Sequence, residues 1–538
     1  MLPTTNRPSR TTRSRGPRRN SRPLAPVLLI IAALSSITLV GFHSWRAFFE
    51  LEDPLVGGSQ ASPETRKALT GRPESRNLWP VPSEAQRTYC DAHFGSEWLR
   101  AWNDSARDIC QPYAGPEQAF LRCRTQEDEH MTQASAPHVL CNAVNLLLDP
   151  RNMPQATHPK RRPGYLSSPG RTYHRYERGA FASSCDWPEA ARNLSIFPKD
   201  HMRDIMESFV APAEDVQVVR VEEKPTLLVT REIEEHANVF HTMTDMLNVY
   251  ITLRMLRWDL HAPRQVILLD SHPQGPLDGL WPAVAAGGGA SFLNGRAEGK
   301  TPGGDKLVRR VEDLGLGVFK LRTAAFVPPG YTSLLYAHLY ENASCAFPTS
   351  LFKGFKAFML EPLGLLQQLP SHFQGPLKVS LISRKPKAGK LVRGIANEDK
   401  LIAMLESMPN LQPALVDLAS MSLQEQLSLM THTDLLIGMH GAAMAWTLLM
   451  PEHAGVIELW PQEEGIWRCY EHTSHWSGLL YRRWSTSTTK ASPDATEVDV
   501  TAIKAMVLKM VPQLTRRRIA MKLQHGFHID AADDNLPV

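Results

Sequence analysis

Asp434–Pro451 reads DLLIGMHGAAMAWTLLMP. Leu435, Leu436 and Ile437 form a short apolar run that ends in Gly438, the pattern of a strand buried on both faces. His440-Gly441-Ala442-Ala443 is a turn of small residues, and Ala442–Met450 then has the composition of a helix that Pro451 stops. A strand, a small-residue turn and a helix N-terminus together present free N–H groups and the positive end of a helix dipole, which suits a phosphate. Gly455–Pro461, GVIELWP, follows as a second apolar strand carrying one acid, Glu458. Any doubly wound α/β unit in which His440 merely caps the turn has the same pattern, so the reading needs residues from elsewhere in the chain.

Working outward, strands and helices alternate from about residue 214. Val216–Val221 and Thr226–Thr230 are β-branched runs, and His241–Arg257 predicts an amphipathic helix. Gln265–Asp270 predicts a buried strand ending in an acid. Leu307–Val311, Val318–Leu321 and Ala325–Val327 are short strand candidates, with a glycine-rich loop over Gly287–Gly304. Phe352–Leu360 reads as helix. After Pro376 a second series begins: strand Leu377–Ser383, helix Asn397–Glu406, strand Leu415–Leu418, helix Leu423–Thr431, then the opening stretch. Thr501–Leu523 is a long basic helix. Two βαβ series with a break near residue 370 predict an α/β protein of two Rossmann-type lobes facing a cleft.

The chain has 538 residues, and 43% hydrophobic with 21% charged residues is a globular composition. Its net charge of +4 is unevenly placed. Before Glu50 there are eight Arg, no Lys and no acid, and the remainder is slightly acidic, which excludes a nucleic-acid-binding surface as the expectation. Leu24–Phe42 carries no charge and, as a helix, spans about 28 Å, close to a bilayer core. With seven Arg ahead of it, it predicts a signal anchor that leaves residues 1–23 in the cytoplasm and the body in the lumen. Residues 43–84 read as a stem, 85–370 as an N-terminal, acceptor-side lobe with a Cys-bearing region, 371–525 as a nucleotide-sugar-binding lobe and 526–538 as a loose tail. Five of the seven Cys lie between 90 and 185, which predicts disulfides of unread connectivity and at least one unpaired thiol. The stretch Pro150–Arg178 is loop-rich and carries no assignment.

Several residue groups carry chemistry. His241 and Asp245, in EHANVFHTMTD, lie four apart and share one helix face, so the acid can orient the imidazole while its other nitrogen takes a proton. Arg384 and Lys385 close a strand, followed by Lys387, Lys390 and Arg393, and Arg at such an end can clamp a diphosphate. His440, Gly441, Ala442 and Ala443 form the phosphate turn, and Glu458 can accept from a ribose hydroxyl. Asn238, Asp270 and His272 are candidates for the acceptor side. No D-x-D, G-x-x-x-x-G-K-[ST] or H-E-x-x-H occurs, so a metal-held diphosphate, a P-loop and a zincin site are not expected.

In combination and in order, EHANVFHTMTD, the SRK strand end, DLLIGMHGAAMAWTLLMP and VIELWP resemble glycosyltransferase family 61, over roughly residues 85–520. Within it the likeness is to the plant-type core β1,2-xylosyltransferases of N-glycan processing; Ala443 stands where the family usually has Gly. The resemblance implies a GT-B, inverting enzyme without a cofactor or metal. It would sit in the Golgi membrane through one N-terminal helix and move xylose from UDP-xylose to the core β-mannose O2 of N-glycans. His241 or Asp245 would be the base, and Arg384 with the 440–443 turn would hold the diphosphate. Two alternatives stay open: another family 61 transfer, of GlcNAc to protein or of pentose to xylan, and a non-catalytic lumenal glycan-binding protein.

Overall fold

The fold is that of a computed structural model, which describes residue 79 and residues 81–112, 118–126, 138–157, 172–186, 201–231, 238–287, 306–336, 345–366, 375–384, 393–461, 467–486 and 495–525. The chain divides into two units, Met1–Glu74 and Ser75–Val538. The first, with the expected anchor at 24–42 and most of the stem, lies outside the described residues, as do Lys385, Lys387, Lys390, residues 288–304 and the tail.

The body opens with helices α1 (Glu84–Phe94) and α2 (Ser96–Asp104), the first begun by a Ser83–Gln86 capping box. An antiparallel meander follows: β1 (Arg107–Pro112), β2 (Phe120–Gln126) and β3 (His138–Leu148). Next come β4 (Val218–Glu222), β5 (Thr226–Val229), helix α3 (Val239–Met255), β6 (Gln265–Leu268), β7 (Val308–Arg310), β8 (Val318–Phe326) and helix α4 (Ser350–Leu360). These strands share one mixed sheet in the order β7-β6-β5-β8-β3-β2-β1, with β4 off this path and paired to β8. β5, β6, β7 and β8 are parallel, and β3 joins β8 antiparallel. The first lobe is therefore a parallel α/β sheet extended by the Cys-bearing meander. Val318–Leu321 and Ala325–Val327, expected as two strands, are one, Val318–Phe326, which pairs with β3 on both sides of Arg322. Within the unassigned stretch, Gln155–Thr157 pairs with Thr172–His174.

The second lobe runs β9 (Leu377–Ile382), helix α5 (Glu398–Glu406), β10 (Leu411–Val416), helix α6 (Leu423–Thr431), β11 (Leu435–Met439), β12 (Gly455–Trp460), helix α7 (Cys469–Trp476), β13 (Leu480–Ser485) and helix α8 (Val500–His525). All five strands are parallel, in the order β10-β9-β11-β12-β13. β11 and β12 are buried at every residue, as a strand covered on both faces must be. One face packs on Ile503, Val507, Met510 and Leu514 of α8.

The other face joins a core that crosses between the sheets. Leu436, Met444 and Trp446 lie in one cluster with Met243 and Leu247 of α3, Phe352 and Phe355 of α4, and Trp98 and Trp102 of α2. The lobes thus share a core rather than owning one each. α3 is the wedge between them. Its expected amphipathic pattern is corrected: all its residues except His241 and Arg254 are buried, the signature of a helix enclosed on every side. Among its internal polar groups, Asn248 donates to the carbonyls of Pro328 and Pro329 and Thr252 to that of Asn248. The expected helix after His440 is a 3-10 helix, Ala442–Leu449, which starts with the Met444 N–H closing on the Gly441 carbonyl three residues back.

Three disulfides close the first lobe: Cys90–Cys345, Cys110–Cys185 and Cys123–Cys141. Cys469 is a buried free thiol. At the carboxyl ends of β5 and β6, Arg231 is buried against Asp270 (2.6 Å) and Asp278 (2.9 Å) and also donates to the His272 carbonyl. Burial alone would raise the Asp270 pKa, but His272 and the Arg231 guanidinium hold it well below the usual carboxylate range. Removing one partner strands a buried charge. Asp270→Ala should therefore lower stability by about 3–5 kcal/mol, measured by denaturant unfolding; an unchanged midpoint would show that the pair is not structural.

Candidate active site

In an open α/β sheet, ligands settle where the strand order reverses, beyond the carboxyl ends of the strands. Each sheet here has such a point. In the first it lies between β5 and β8. α3 follows the former and Tyr336 the latter, and they bring the His241 Nδ1 to 2.9 Å from the Tyr336 hydroxyl. In the second it lies between β9 and β11, whose ends carry Ser383-Arg384 and His440-Gly441.

The first point is built on the α3 N-terminus. Asn238 is the N-cap, its side chain accepting from the Phe240 N–H at 3.1 Å, so its amide oxygen serves the helix. His241, one turn in, is half-buried, and its Nδ1 is turned to Tyr336. Asp245, one turn below, is 5% exposed. Of the two sequence candidates for a base, His241 is the more exposed.

At the second point, Gly441 is extended rather than strained, and its need for glycine is steric. A Cβ there would lie 2.1 Å from a terminal nitrogen of Arg384. The guanidinium therefore rests over the turn. Arg393 reaches the same turn and donates to the His440 carbonyl at 3.0 Å. Burial, and then the neighbouring Arg393, lower the Arg384 pKa against the pull of Tyr470, so two like charges are gathered where an anion would be welcome. Ala442 and Ala443 open the 3-10 helix, and both pack against the shared core. His440 is 4% exposed, with Nδ1 2.5 Å from Glu458 Oε1. Its ring lies edge-on to Trp460, with centroids 3.7 Å apart, and near Tyr470 (5.0 Å) and Trp467 (5.9 Å). Glu458 is 1% exposed, and its second oxygen accepts from the Tyr481 hydroxyl at 2.5 Å.

Phe240 joins the two points. Its ring meets Tyr336 at 5.1 Å on one side and Tyr470 at 5.9 Å on the other, and Tyr470 in turn meets His440. His241, Tyr336, Arg384, Arg393 and the 440–443 turn therefore border one site. Asp270 lies in the ion cluster with Arg231, with His272 Nδ1 3.6 Å from its carboxylate, and neither is among the residues brought to Phe240. Among the described residues, no group of three or more His, Cys, Asp or Glu is gathered to hold a metal ion. Tyr336, Trp467, Tyr470 and Tyr481 were not legible as site residues. Each is far from its partner in the chain, and an isolated aromatic carries no spacing signal.

One switch point thus presents the His241 imidazole and the other the Arg384 and Arg393 guanidiniums at a turn of small residues. Residues 239–457 match the family model described as Glycosyltransferase 61. The EGF domain-specific O-linked N-acetylglucosamine transferase of Canis lupus familiaris is 24% identical over 442 residues, 77% of this chain and 72% of that protein. Its Drosophila melanogaster counterpart is 32% identical over 136 residues, 25% of this chain and 24% of that protein. Beta-1,2-xylosyltransferase RCN11 of Oryza sativa subsp. japonica is 26% identical over 309 residues, 52% of this chain and 53% of that protein.

Gly441→Ala tests the donor side. The clash falls on the movable end of Arg384, so the thermal midpoint should stay close to that of the unaltered protein. The displaced guanidinium should lose a charge-assisted bond of about 1.5–3 kcal/mol, weakening nucleotide-sugar binding by roughly 10- to 150-fold in titration calorimetry.

Proposed function

We propose that this protein is an inverting, UDP-sugar-dependent glycosyltransferase of GT-B-like arrangement. It moves xylose from UDP-xylose to O2 of the core β-mannose of N-glycans. The observation that carries the transferase reading is the junction of the two switch points through Phe240 and Tyr470, which sets a reachable imidazole opposite a basic turn. The donor and acceptor rest on the resemblance of the ordered motifs and on the similarity to the rice enzyme.

In this reading the reaction is one in-line displacement. With its Nδ1–H donating to the Tyr336 oxygen, His241 offers Nε2 to the acceptor hydroxyl. The oxygen, as it loses its proton, attacks the anomeric carbon from the face opposite UDP. Arg384, Arg393 and the N–H groups opening the 3-10 helix stabilise the departing diphosphate, in place of a metal ion. Asp245 lies beneath His241 and acts on the field around it. The body is lumenal, held in the Golgi membrane by residues 24–42.

A second reading, N-acetylglucosamine transfer to protein hydroxyls, is favoured by the greater span of similarity to the canine transferase. The full chain, offered UDP-xylose and UDP-N-acetylglucosamine with an N-glycan and with a folded EGF domain, separates the two by mass spectrometry of the products. Xylose on the N-glycan, undiminished by chelator, is the expected result; sugar on the EGF domain alone selects the second reading, and manganese dependence removes the metal-free step. His241→Ala should lower turnover by about 10²–10⁴-fold with the fold intact. Near-normal turnover in both His241→Ala and Asp245→Asn removes the base assignment.

A further inference from the structure

Glu458 was expected to meet a ribose and His440 a diphosphate. Both Glu458 oxygens are instead committed, Oε1 to His440 Nδ1 and Oε2 to the Tyr481 hydroxyl, each at 2.5 Å. The three side chains are buried and come from the adjacent strands β11 to β13 or their carboxyl ends. Two hydrogen-bond acceptors cannot share a 2.5 Å contact, so a proton lies between Nδ1 and Oε1. The phenol is the donor to the other oxygen, which stabilises the ionised carboxylate and leaves the proton on Nδ1. A neutral imidazole protonated there has its lone pair on Nε2.

We propose that Glu458 and Tyr481 are positioning residues that hold His440 as the Nδ1–H tautomer, so that Nε2 accepts a hydrogen bond from a hydroxyl of the sugar nucleotide. The diphosphate oxygens, which only accept, are left to Arg384, Arg393 and the N–H groups of the turn. This assignment rests on the nucleotide-sugar reading above.

The surroundings of the ring agree with it. Burial lowers the His440 pKa, Glu458 opposes that shift, and Arg393 and Arg384 add to it, so the imidazole stays below the ordinary histidine range despite its carboxylate. From α7, Tyr470 and Cys469 face the same region, and burial raises both pKa values, so neither adds a charge. Tyr481 is raised as well, so its hydroxyl keeps the proton it donates. An imidazolium binding the diphosphate would have to form against burial and two guanidiniums.

Titration calorimetry of the full chain with UDP-xylose and UDP-N-acetylglucosamine, at neutral pH in two buffers of different protonation enthalpy, counts the protons taken up on binding. The expected result is no net uptake. Uptake approaching one proton, abolished in His440→Gln, means that the diphosphate binds an imidazolium and overturns the tautomer assignment alone. Failure of the unaltered protein to bind either donor overturns the nucleotide-sugar reading and this assignment with it. Tyr481→Phe removes one donor from Glu458, whose charge then falls more heavily on His440 and raises its pKa. The expected outcome is a drop in kcat of about 10-fold with little change in donor KM, and an acid limb of the pH profile moved to higher pH. An unmoved acid limb with unchanged kcat overturns the positioning role, and a lowered melting temperature by itself would not produce the shift. If Tyr481→Phe does not fold, proton counting on the unaltered protein still decides.

Discussion

Helix α3 is enclosed between two sheets, and the relation of the two halves depends on that enclosure. A helix with nearly every side chain buried cannot shift without opening a core on each side. Its apolar residues belong to the same cluster as Leu436, Met444 and Trp446 of the second lobe and the aromatic residues of α2 and α4. His241 stands at the end of that rigid element, and Phe240 beside it touches the second lobe at Tyr470. Packing therefore sets where the His241 imidazole stands relative to the basic turn. Each sheet contributes its switch point, and the wedge makes the two points one site.

The second lobe was the more legible half. DLLIGMHGAAMAWTLLMP has the bare periodicity of a doubly buried parallel strand, and β11 lies at Leu435–Met439. The helix at Leu423–Thr431 lies where its capping box and leucines put it. Arg384 and His440 were readable as strand-end residues, and the order of the strands brings those two ends together. Gly441 was readable as a small residue, but its reason, a guanidinium resting on its Cα, involves a partner 57 positions away and needs three dimensions.

What was not legible had a common cause. The amphipathic reading of α3 failed because a helix between two sheets has no solvent face, and its Thr, Asn and Asp residues imitate one. The meander joined to the parallel strands is specified by long-range pairing of β3 with β8, which no local pattern reports. Asp270 looked like a site acid because it ends a strand, yet Arg231, 39 positions earlier, binds it with two donor groups. Tyr336 and Tyr481 were invisible for the same reason: each acts on a residue far off in the chain through a single hydroxyl.

The chemistry follows from which charges are already answered. Glu458 is a buried acid, but its charge is met by Tyr481 and His440, so it is not available to a cation. Asp270 is met by Arg231 in the same way. At the Gly441 turn, burial and then the neighbouring Arg393 lower the Arg384 pKa, and an anion placed there would favour its charged form. The site thus has a positive field without a gathered acidic cluster among the described residues. In the proposed reading a diphosphate fits that field, and a neutral His440 beside it would divide the donor between two kinds of partner: cations and N–H groups for the phosphates, a lone pair for a hydroxyl. Such a division would bind the leaving group by charge and orient the sugar by hydrogen-bond direction, so a change to one need not disturb the other.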